Sequence, residues 1–535
     1  MPTLDWIGKK AVVNHHKEVP FHLLKCDPDL SVGDPESGNL LVQGDNLLAL
    51  KALLPYYAGQ VKCIYIDPPY NTGNEKWVYN DNVNSPEIRE WLGSVVGKEA
   101  EDLSRHDKWL CMMYPRLNLL RDFLSDEGVI FVSIDDTEVT SLRFLIDEIF
   151  GRSQFVGNIL WQKRTSPDAR LGLSDAHEYV IVFAKNIKQL HLKRLPLSKK
   201  QKKSYKNPDN DPRGPWVSSD YSAQGFRPNQ MYEITSPSGK KVTPPPGNCW
   251  KNIESVFLEL VADNRIWFGK NGSGVPRRKT FLSESKGAAA WTWWENSEVG
   301  HSQEAKKEIK NFMEGESPFD TPKPTRLIQR ILQIATDEDS IVLDSFVGSG
   351  TTGQAVLAQN KEDGGKRKCI LVEMDKDICA NITAKRLKFV VEGYVKKGLK
   401  DKIEDIPGLG GGFQYCYLGK TLFDNTGQIA KSVSFIELAR FVFFKESGLP
   451  LSDEVSGKTP LIGTHNDAAI YLLYNGILGD KTPQGGNALT RAVLADLPPH
   501  DGPKVVYGTS CRVGVTRLKQ ENIIFRQIPY ELKVD

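Results

Sequence analysis

Paired cysteines are missing from this sequence. Its eight cysteines (Cys26, Cys63, Cys111, Cys249, Cys369, Cys379, Cys416 and Cys511) are scattered, and none forms a C-x-x-C pair. That pattern argues against a disulfide framework and against a zinc site, so no metal is expected, and it suits a reducing cytosol. No apolar run is long enough to span a bilayer. The start, Met1-Pro2-Thr3-Leu4-Asp5-Trp6, lacks the apolar core of a signal peptide, so a cytoplasmic protein with no membrane partner is expected. An excess of one charge is missing too. The 69 Lys and Arg against 67 Asp and Glu leave a formal net charge of +2, so no global field points to nucleic acid and any basic surface must be local. No internal repeat is present. At 535 residues the chain is too long for one ordinary domain, and about two to four are expected. Its 40% hydrophobic and 25% charged residues are the composition of a folded globular chain.

What is present is an alternation of short apolar strands with helical patterns. Leu40 to Gln43 reads as a strand, followed by Gly44-Asp45-Asn46 and a helix through Leu47, Leu48, Leu50, Ala52 and Leu53. Val61 to Ile66 reads as a buried strand, residues 71–105 as a mobile polar loop with a short helix, and Trp109 to Leu124 as a helix. Gly128 to Ile134 is the next strand and Val139 to Phe150 its helix. Such alternation predicts a parallel α/β sheet. It breaks near residue 151: seven of the eleven tryptophans fall between 161 and 294, and residues 185–214 hold ten Lys or Arg against two Asp. This stretch reads as an inserted domain. The alternation resumes at Thr321, with a helix over Leu327 to Ala335, a strand over Ser340 to Phe346 and another over Lys368 to Glu373. Residues 1–35 read as an irregular lead-in, Leu409 to Phe413 as a turn, and the tail from 396 as mixed α/β.

Two motifs carry chemistry. Asp67-Pro68-Pro69-Tyr70 follows the Val61–Ile66 strand directly. It places an acceptor, a stiff backbone and a flat ring where a sheet ends, which is where open α/β sheets bind ligands. A planar base with an amino group needs these three things; a helix-stop turn capped by Asp uses the same residues. The second motif, Gly348-x-Gly350-x-x-Gly353, runs from a strand into a helix, with Glu373 ending the next strand. It fits a nucleoside cofactor whose ribose meets the acid and whose polar end meets the helix start. NAD fits that pattern as well, although Phe346 and the hydroxyls of Thr351 and Thr352 depart from a bare phosphate cradle. The tryptophans and the lysine run are by default core and solvated surface.

Taken together the residues resemble amino-group DNA methyltransferases, and specifically the Mod (modification) subunits of type III restriction systems. The likeness rests on Asp67-Pro68-Pro69-Tyr70 with Asn71-Thr72-Gly73, and on Asp344-Ser345-Phe346-Val347-Gly348-Ser349-Gly350-Thr351-Thr352-Gly353. It extends to Val132-Ser133-Ile134-Asp135-Asp136, Arg265-Ile266-Trp267-Phe268-Gly269 and Asp320-Thr321-Pro322-Lys323-Pro324, and thins after about residue 420. Val347 departs from the alanine of many relatives. Gly348 lies 281 positions after Asp67, the order of the circularly permuted β group, whose recognition domain lies between the halves.

The resemblance implies a Rossmann-like, permuted S-adenosylmethionine-dependent fold. Its parts would be a catalytic half (1–150), a target-recognition domain (151–320), a cofactor half (321–395) and a C-terminal extension (396–535). It implies methyl transfer from S-adenosyl-L-methionine to the N6 amino group of adenine in double-stranded DNA, with Asp67 and the Pro68 carbonyl accepting the amino hydrogens, Pro69 stiffening the turn and Tyr70 stacking on the base. Asp45, Lys323, Asp344, Phe346, Gly348, Gly350, Thr351, Thr352 and Glu373 would surround the cofactor. Lys199, Lys200, Lys202 and Lys203 are candidates for phosphate contacts, and Arg227, Asn229 and Gln230 for reading base edges. A homodimer and a restriction (Res) subunit are the implied partners, unless the chain is an orphan relative. N4-cytosine methylation, an NAD-dependent oxidoreductase, a catalytically idle DNA-binding subunit and methylation of a protein amide are the alternatives.

Overall fold

The computed structural model describes residues 4–72, 98–168, 170, 172–313, 318–397, 403–424, 426–447, 451, 457–479 and 486–528. Most of the loop expected over 71–105, including Gly73, lies outside them. The helix after it runs over Lys98–Phe123 and so begins within the segment read as that loop.

One ten-stranded sheet organises the larger part of the chain. In chain order its strands are β1 (His22–Gly33), β2 (Leu40–Gln43), β3 (Val61–Ile66), β4 (Leu124–Ile134), β5 (Phe155–Gln162), β6 (His177–Ala184), β7 (Trp293–Trp294), β8 (Ile341–Asp344), β9 (Lys368–Glu373) and β10 (Gly412–Thr421). In space the order is β1-β10-β2-β9-β8-β3-β4-β6-β5-β7. The run from β10 to β4 is parallel, β6 is antiparallel to both β4 and β5, and β1 is antiparallel to β10. Central strands such as β3 and β9 are apolar along nearly their whole length, as parallel strands covered on both faces must be. Ile64, Ile66, Ile130, Val132, Ile370 and Val372 pack with the helices Asn46–Tyr57, Lys98–Phe123 and Val139–Phe150 in one core.

The connections place the site. From β8 the chain moves to β9 on one side, and from β3 to β4 on the other. The neighbours β8 and β3 are therefore a topological switch point, where a crevice opens beyond the strand ends. The loop after β8 uses glycine twice for backbone reasons. Gly348 (φ 50°) and Gly350 (φ 84°) are left-handed, and a Cβ on Gly348 would lie 2.7 Å from the ring of Phe319. At Gly353 a Cβ would meet Leu387 at 2.6 Å and Leu371 at 2.8 Å, so its role is close packing of helix on strand.

Several boundaries differ from the sequence reading. The second compact unit is Lys193–Ala290, narrower than the expected 151–320. β5, β6 and β7 belong to the main sheet; the antiparallel β6 continues it without a crossover helix, which breaks the alternation but not the sheet. The 396–535 segment is not one separate extension, because β10 pairs with β2 inside the sheet. After β10 come the helix Phe435–Ser447 and a four-stranded sheet of Leu461–His465, Ala468–Leu472, Lys504–Gly508 and Ile523–Gln527. The lead-in holds β1, whose exposed face hid its strand character. Within β1 and β10, Cys26 and Cys416 face each other and are bonded, S–S 1.97 Å. The expectation of no disulfide is corrected at that pair, which 390 positions of sequence separate.

Unit Lys193–Ala290 is built on small antiparallel sheets and the helix Glu254–Ala262, around an aromatic core of Tyr221, Trp250, Phe257 and Phe268. Trp216 and Trp250 are buried, in keeping with tryptophan as core. Lys279 is buried beside Asp209 and Asp211.

Candidate active site

Asp67-Pro68-Pro69-Tyr70 leaves β3 at the edge where β8 ends in Asp344, β9 in Glu373 and β6 begins at His177. Its backbone is pinned twice. The indole of Trp109 donates to the Pro69 carbonyl at 2.7 Å. Asn71, held at φ 64°, donates its side-chain amide to Glu138 Oε1 at 2.5 Å. His106 Nδ1 lies 2.7 Å from the same oxygen of this buried acid. Glu138 and His106 play no part in the sequence reading. Their only signal is a buried acid just past the Asp135-Asp136 strand end.

Around Asp67 the structure assembles four polar side chains. Lys323 Nζ donates to Asp67 Oδ2 at 2.6 Å, and the Tyr70 hydroxyl lies 2.9 Å from Asp67 Oδ1. Glu178, the second residue of β6, was missed by the sequence reading; its Oε2 lies 3.0 Å from the Tyr70 hydroxyl and 3.7 Å from Lys323 Nζ. Lys163 stands behind it, 3.4 Å from Glu178 Oε1. Burial raises the Asp67 carboxyl above its ordinary value, and Lys323 opposes the rise. Burial also pulls on Lys323, but the two carboxylates hold it above the usual lysine value. Burial thus sets the direction for Asp67, and two acids facing one ammonium set it for Lys323. The Lys323 ammonium lies 5.0 Å over the Tyr70 ring. A cavity of about 530 Å³ opens beside these groups, lined among others by Trp161, Lys163, Arg164, Glu178, Lys306 and Lys323.

The glycine loop is held from inside. Asp344 Oδ1 accepts the Phe346 N–H at 3.0 Å, and Asp344 Oδ2 accepts the Thr352 hydroxyl at 2.5 Å. The Thr351 hydroxyl donates to the Lys323 carbonyl at 3.1 Å, which ties the loop to the lysine of the acid cluster. Both threonine hydroxyls are thus structural ties. Glu373 Oε2 accepts the Gly348 N–H and its Oε1 the Asp375 N–H, each at 2.9 Å. A carboxylate has about four acceptor positions, so Glu373 keeps capacity for ligand hydroxyls. The Ser345 hydroxyl is buried without a hydrogen-bond partner among the described residues. Phe346 is buried in the main core. An acceptor acid, an apolar ring, an unmatched hydroxyl and a helix start form a donor and acceptor set that fits a nucleoside carrying a carboxylate.

Asp45 is more committed than expected. Its Oδ1 caps the helix Asn46–Tyr57 by accepting from Leu47 and Leu48, and its Oδ2 lies 3.4 Å from the buried Arg116. Lys323 was expected beside the cofactor; its side chain reaches Asp67, and its carbonyl accepts from Thr351 of the glycine loop.

Burial pushes the Asp344 carboxyl up to about 7, against the Thr352 and Phe346 hydrogen bonds that favour its ionised form. An acid whose pKa is higher in the folded chain holds its proton more tightly there. Stability therefore falls as pH rises from the unfolded value near 4 to about 7, by about 1.4 kcal/mol per pH unit in that window. Asp344→Asn keeps an acceptor for Phe346 and carries no charge. Urea denaturation is expected to show the variant gaining on the parent as pH rises from 5 to about 8; a constant difference across that range would refute the assignment.

In Lys193–Ala290, Lys199, Lys200, Lys202 and Lys203 are exposed on a short capped turn. Arg227 is tied to Gln230 at 3.3 Å and to Cys249, so of the three proposed base readers only Asn229, exposed, lacks such a tie to its neighbours among the described contacts.

Comparison with known proteins adds a family to this geometry. The family model for N6 and N4 methyltransferases, described as DNA methylase, matches residues 61–385. The chain is 40% identical over 408 residues to the type III restriction-modification enzyme StyLTI Mod subunit of Salmonella typhimurium, covering 72% of this chain and 60% of that protein. It is 33% identical over 420 residues to the EcoPI Mod subunit of Escherichia phage P1, covering 70% of this chain and 64% of that protein. The chain thus spans less than two thirds of the length of these relatives. Among solved structures, the PvuII DNA methyltransferase (cytosine-N4-specific) aligns at 14% identity and TM-score 0.33, over 67% of this chain and 90% of that one.

Proposed function

The chain belongs to the DNA methylase family, and from that premise we propose that it is a site-specific methyltransferase acting on the N6 amino group of adenine in duplex DNA. S-adenosyl-L-methionine is the methyl donor, and the protein serves as the modification subunit of a type III restriction-modification system. The observation that carries this reading is the placement of Asp67 at the end of β3, next to the Ser345–Gly350 loop that follows the adjacent strand β8.

Bound S-adenosylmethionine supplies an electrophilic methyl on sulfur. Glu373 would take its ribose hydroxyls, Phe346 its apolar part, and the N–H groups at the start of the helix Thr351–Asp363 its carboxylate. An exocyclic amino nitrogen is a poor nucleophile because its lone pair is delocalised into the ring. Asp67 and the Pro68 carbonyl accept its two hydrogens, turn the nitrogen toward tetrahedral geometry and aim the lone pair at the methyl. The work is positioning and charge stabilisation, and no covalent enzyme intermediate forms. Tyr70 supplies the stacking face.

A base inside a duplex is out of reach of such a crevice and must be flipped, at a cost of a few kcal/mol. Lys193–Ala290 carries 18 Lys and Arg against 8 Asp and Glu, while the whole chain is at +2. Its basic surface suits phosphate contacts that offset this cost and make binding salt-dependent. The likeness to Mod subunits of restriction-modification enzymes supports a restriction subunit as partner; a homodimer is part of the same proposal. Among the described residues no helix is long and apolar enough to cross a membrane.

One assay tests the reading. The protein is incubated with labelled S-adenosylmethionine and unmethylated genomic DNA, and the modified base is identified. N6-methyladenine is expected. N4-methylcytosine would overturn the base assignment alone, and no label in DNA would overturn the enzyme reading.

A further inference from the structure

Both oxygens of Asp67 are already engaged, by Lys323 at 2.6 Å and by Tyr70 at 2.9 Å. Each oxygen keeps a further acceptor position, so an incoming amino group meets the full charge of the carboxylate only when one of these donors is drawn off. The lysine contact is the harder one to break. A charge-assisted hydrogen bond is roughly twice as strong as a neutral one, so a neutral amino group does not dislodge a buried ammonium that has nowhere else to go. Glu178 provides that place. Its Oε2 is 3.7 Å from Lys323 Nζ and 3.0 Å from the Tyr70 hydroxyl, so each donor on Asp67 is already within reach of a second carboxylate. The Tyr70 hydroxyl has one hydrogen and lies between two carboxylate oxygens, so it serves one at a time. The arrangement has the geometry of a handover.

We propose that Glu178 is a positioning residue that receives the Lys323 ammonium and the Tyr70 hydroxyl hydrogen when the target amino group takes their place on Asp67. The proposal rests on the amino-methyltransferase reading above. No bond to carbon changes in the handover, and no net charge enters or leaves the cluster. The Lys323 backbone carbonyl, bound to Thr351, stays in place while the side chain swings, so the cofactor loop is not disturbed.

The test compares single-turnover methyl transfer to DNA by the parent protein, Glu178→Gln, Lys323→Met and the double variant, with S-adenosylmethionine binding measured alongside by equilibrium dialysis. In Glu178→Gln the ammonium stays on Asp67, and the rate is expected to fall about 100-fold with cofactor binding retained. Adding Lys323→Met removes the obstructing ammonium and is expected to restore the rate at least about tenfold over Glu178→Gln; a purely structural role for Glu178 would give a double variant worse than either single. The acid limb of the pH profile gives a second readout. The groups facing Asp67 are Tyr65 and Tyr70 from its own segment, Asp344 from β8, Lys323 and Glu178, with Lys163 and Asp135 behind Glu178. Loss of the Glu178 charge moves the limb to lower pH, and loss of Lys323 moves it to higher pH. Should Glu178→Gln lose cofactor binding, Glu178→Asp keeps the charge but draws it back, and is expected to show the same rescue by Lys323→Met. A parental rate in Glu178→Gln, or a double variant slowed by the product of the single effects, overturns the handover alone. No transfer by the parent protein overturns the adenine reading and the handover with it.

Discussion

Asp67→Ala is expected to reduce methyl transfer by about 10³-fold or more while S-adenosylmethionine binding survives. The two effects separate because Asp67 closes β3, whereas the loop that would hold the cofactor follows β8 and is braced by Asp344, Thr352 and Glu373. None of the hydrogen bonds described for that loop ends on Asp67. The loss in rate has one source: the amino nitrogen loses the charged acceptor that turns its lone pair toward the methyl. Lys323 is left to Glu178, where the handover would also put it. Asp67→Asn keeps the shape and one carbonyl acceptor but cannot pair with Lys323, so an intermediate rate is expected. Single-turnover transfer of label to DNA and equilibrium dialysis of the cofactor are the measurements. Equal loss of both activities would show that Asp67 supports the fold of the crevice and would remove it from the chemistry.

The parts of this site legible in the sequence are those made by consecutive residues. Asp67-Pro68-Pro69-Tyr70 and the Gly348–Gly353 loop each sit on one strand end, and the strands carrying them read correctly because parallel, buried strands are continuous apolar runs. Glu178 was illegible for the opposite reason. It starts an antiparallel strand in a stretch whose alternation fails, and its meaning comes only from the pairing of β6 with β4, which brings it to the edge that holds Asp67. The same irregularity made residues 151–192 look like part of the insert when they complete the sheet. Lys323 was legible as a site residue, but its partner lies 256 positions away and no local pattern reports such a pair. Thr351 and Thr352 were expected at the cofactor, and the fold also uses their hydroxyls to fasten the loop, which no local pattern reports.

The fastening of that loop leads to the second large effect. Arg386 is 1% exposed, and its guanidinium donates to the Ser349 carbonyl at 3.3 Å, the Ser349 hydroxyl at 3.2 Å, the Thr351 hydroxyl at 2.9 Å and Gln354 Oε1 at 2.8 Å. Its far end reaches Thr325 at 3.2 Å and Glu308 Oε2 at 3.4 Å. Burial lowers its pKa to about 10, which still leaves it charged at neutral pH. Burial likewise raises Glu308, and Arg386 opposes that rise. Arg386→Ala leaves the half-buried Glu308 with Thr325 as its partner among the described residues, and leaves the loop acceptors without that donor. Breaking a buried pair from one side costs about 3–5 kcal/mol, so a large fall in the urea midpoint is expected together with weakened cofactor binding. The combined replacement Arg386→Met with Glu308→Leu distinguishes the two consequences. It removes both charges and keeps the volume, so most of the stability should return, but nothing in it can donate to Ser349 or Thr351, so the cofactor affinity should stay low. Arg386→Ala within about 1 kcal/mol of the parent, or a double variant that regains cofactor binding along with stability, would mean that the loop keeps its shape through its glycines and Asp344 alone.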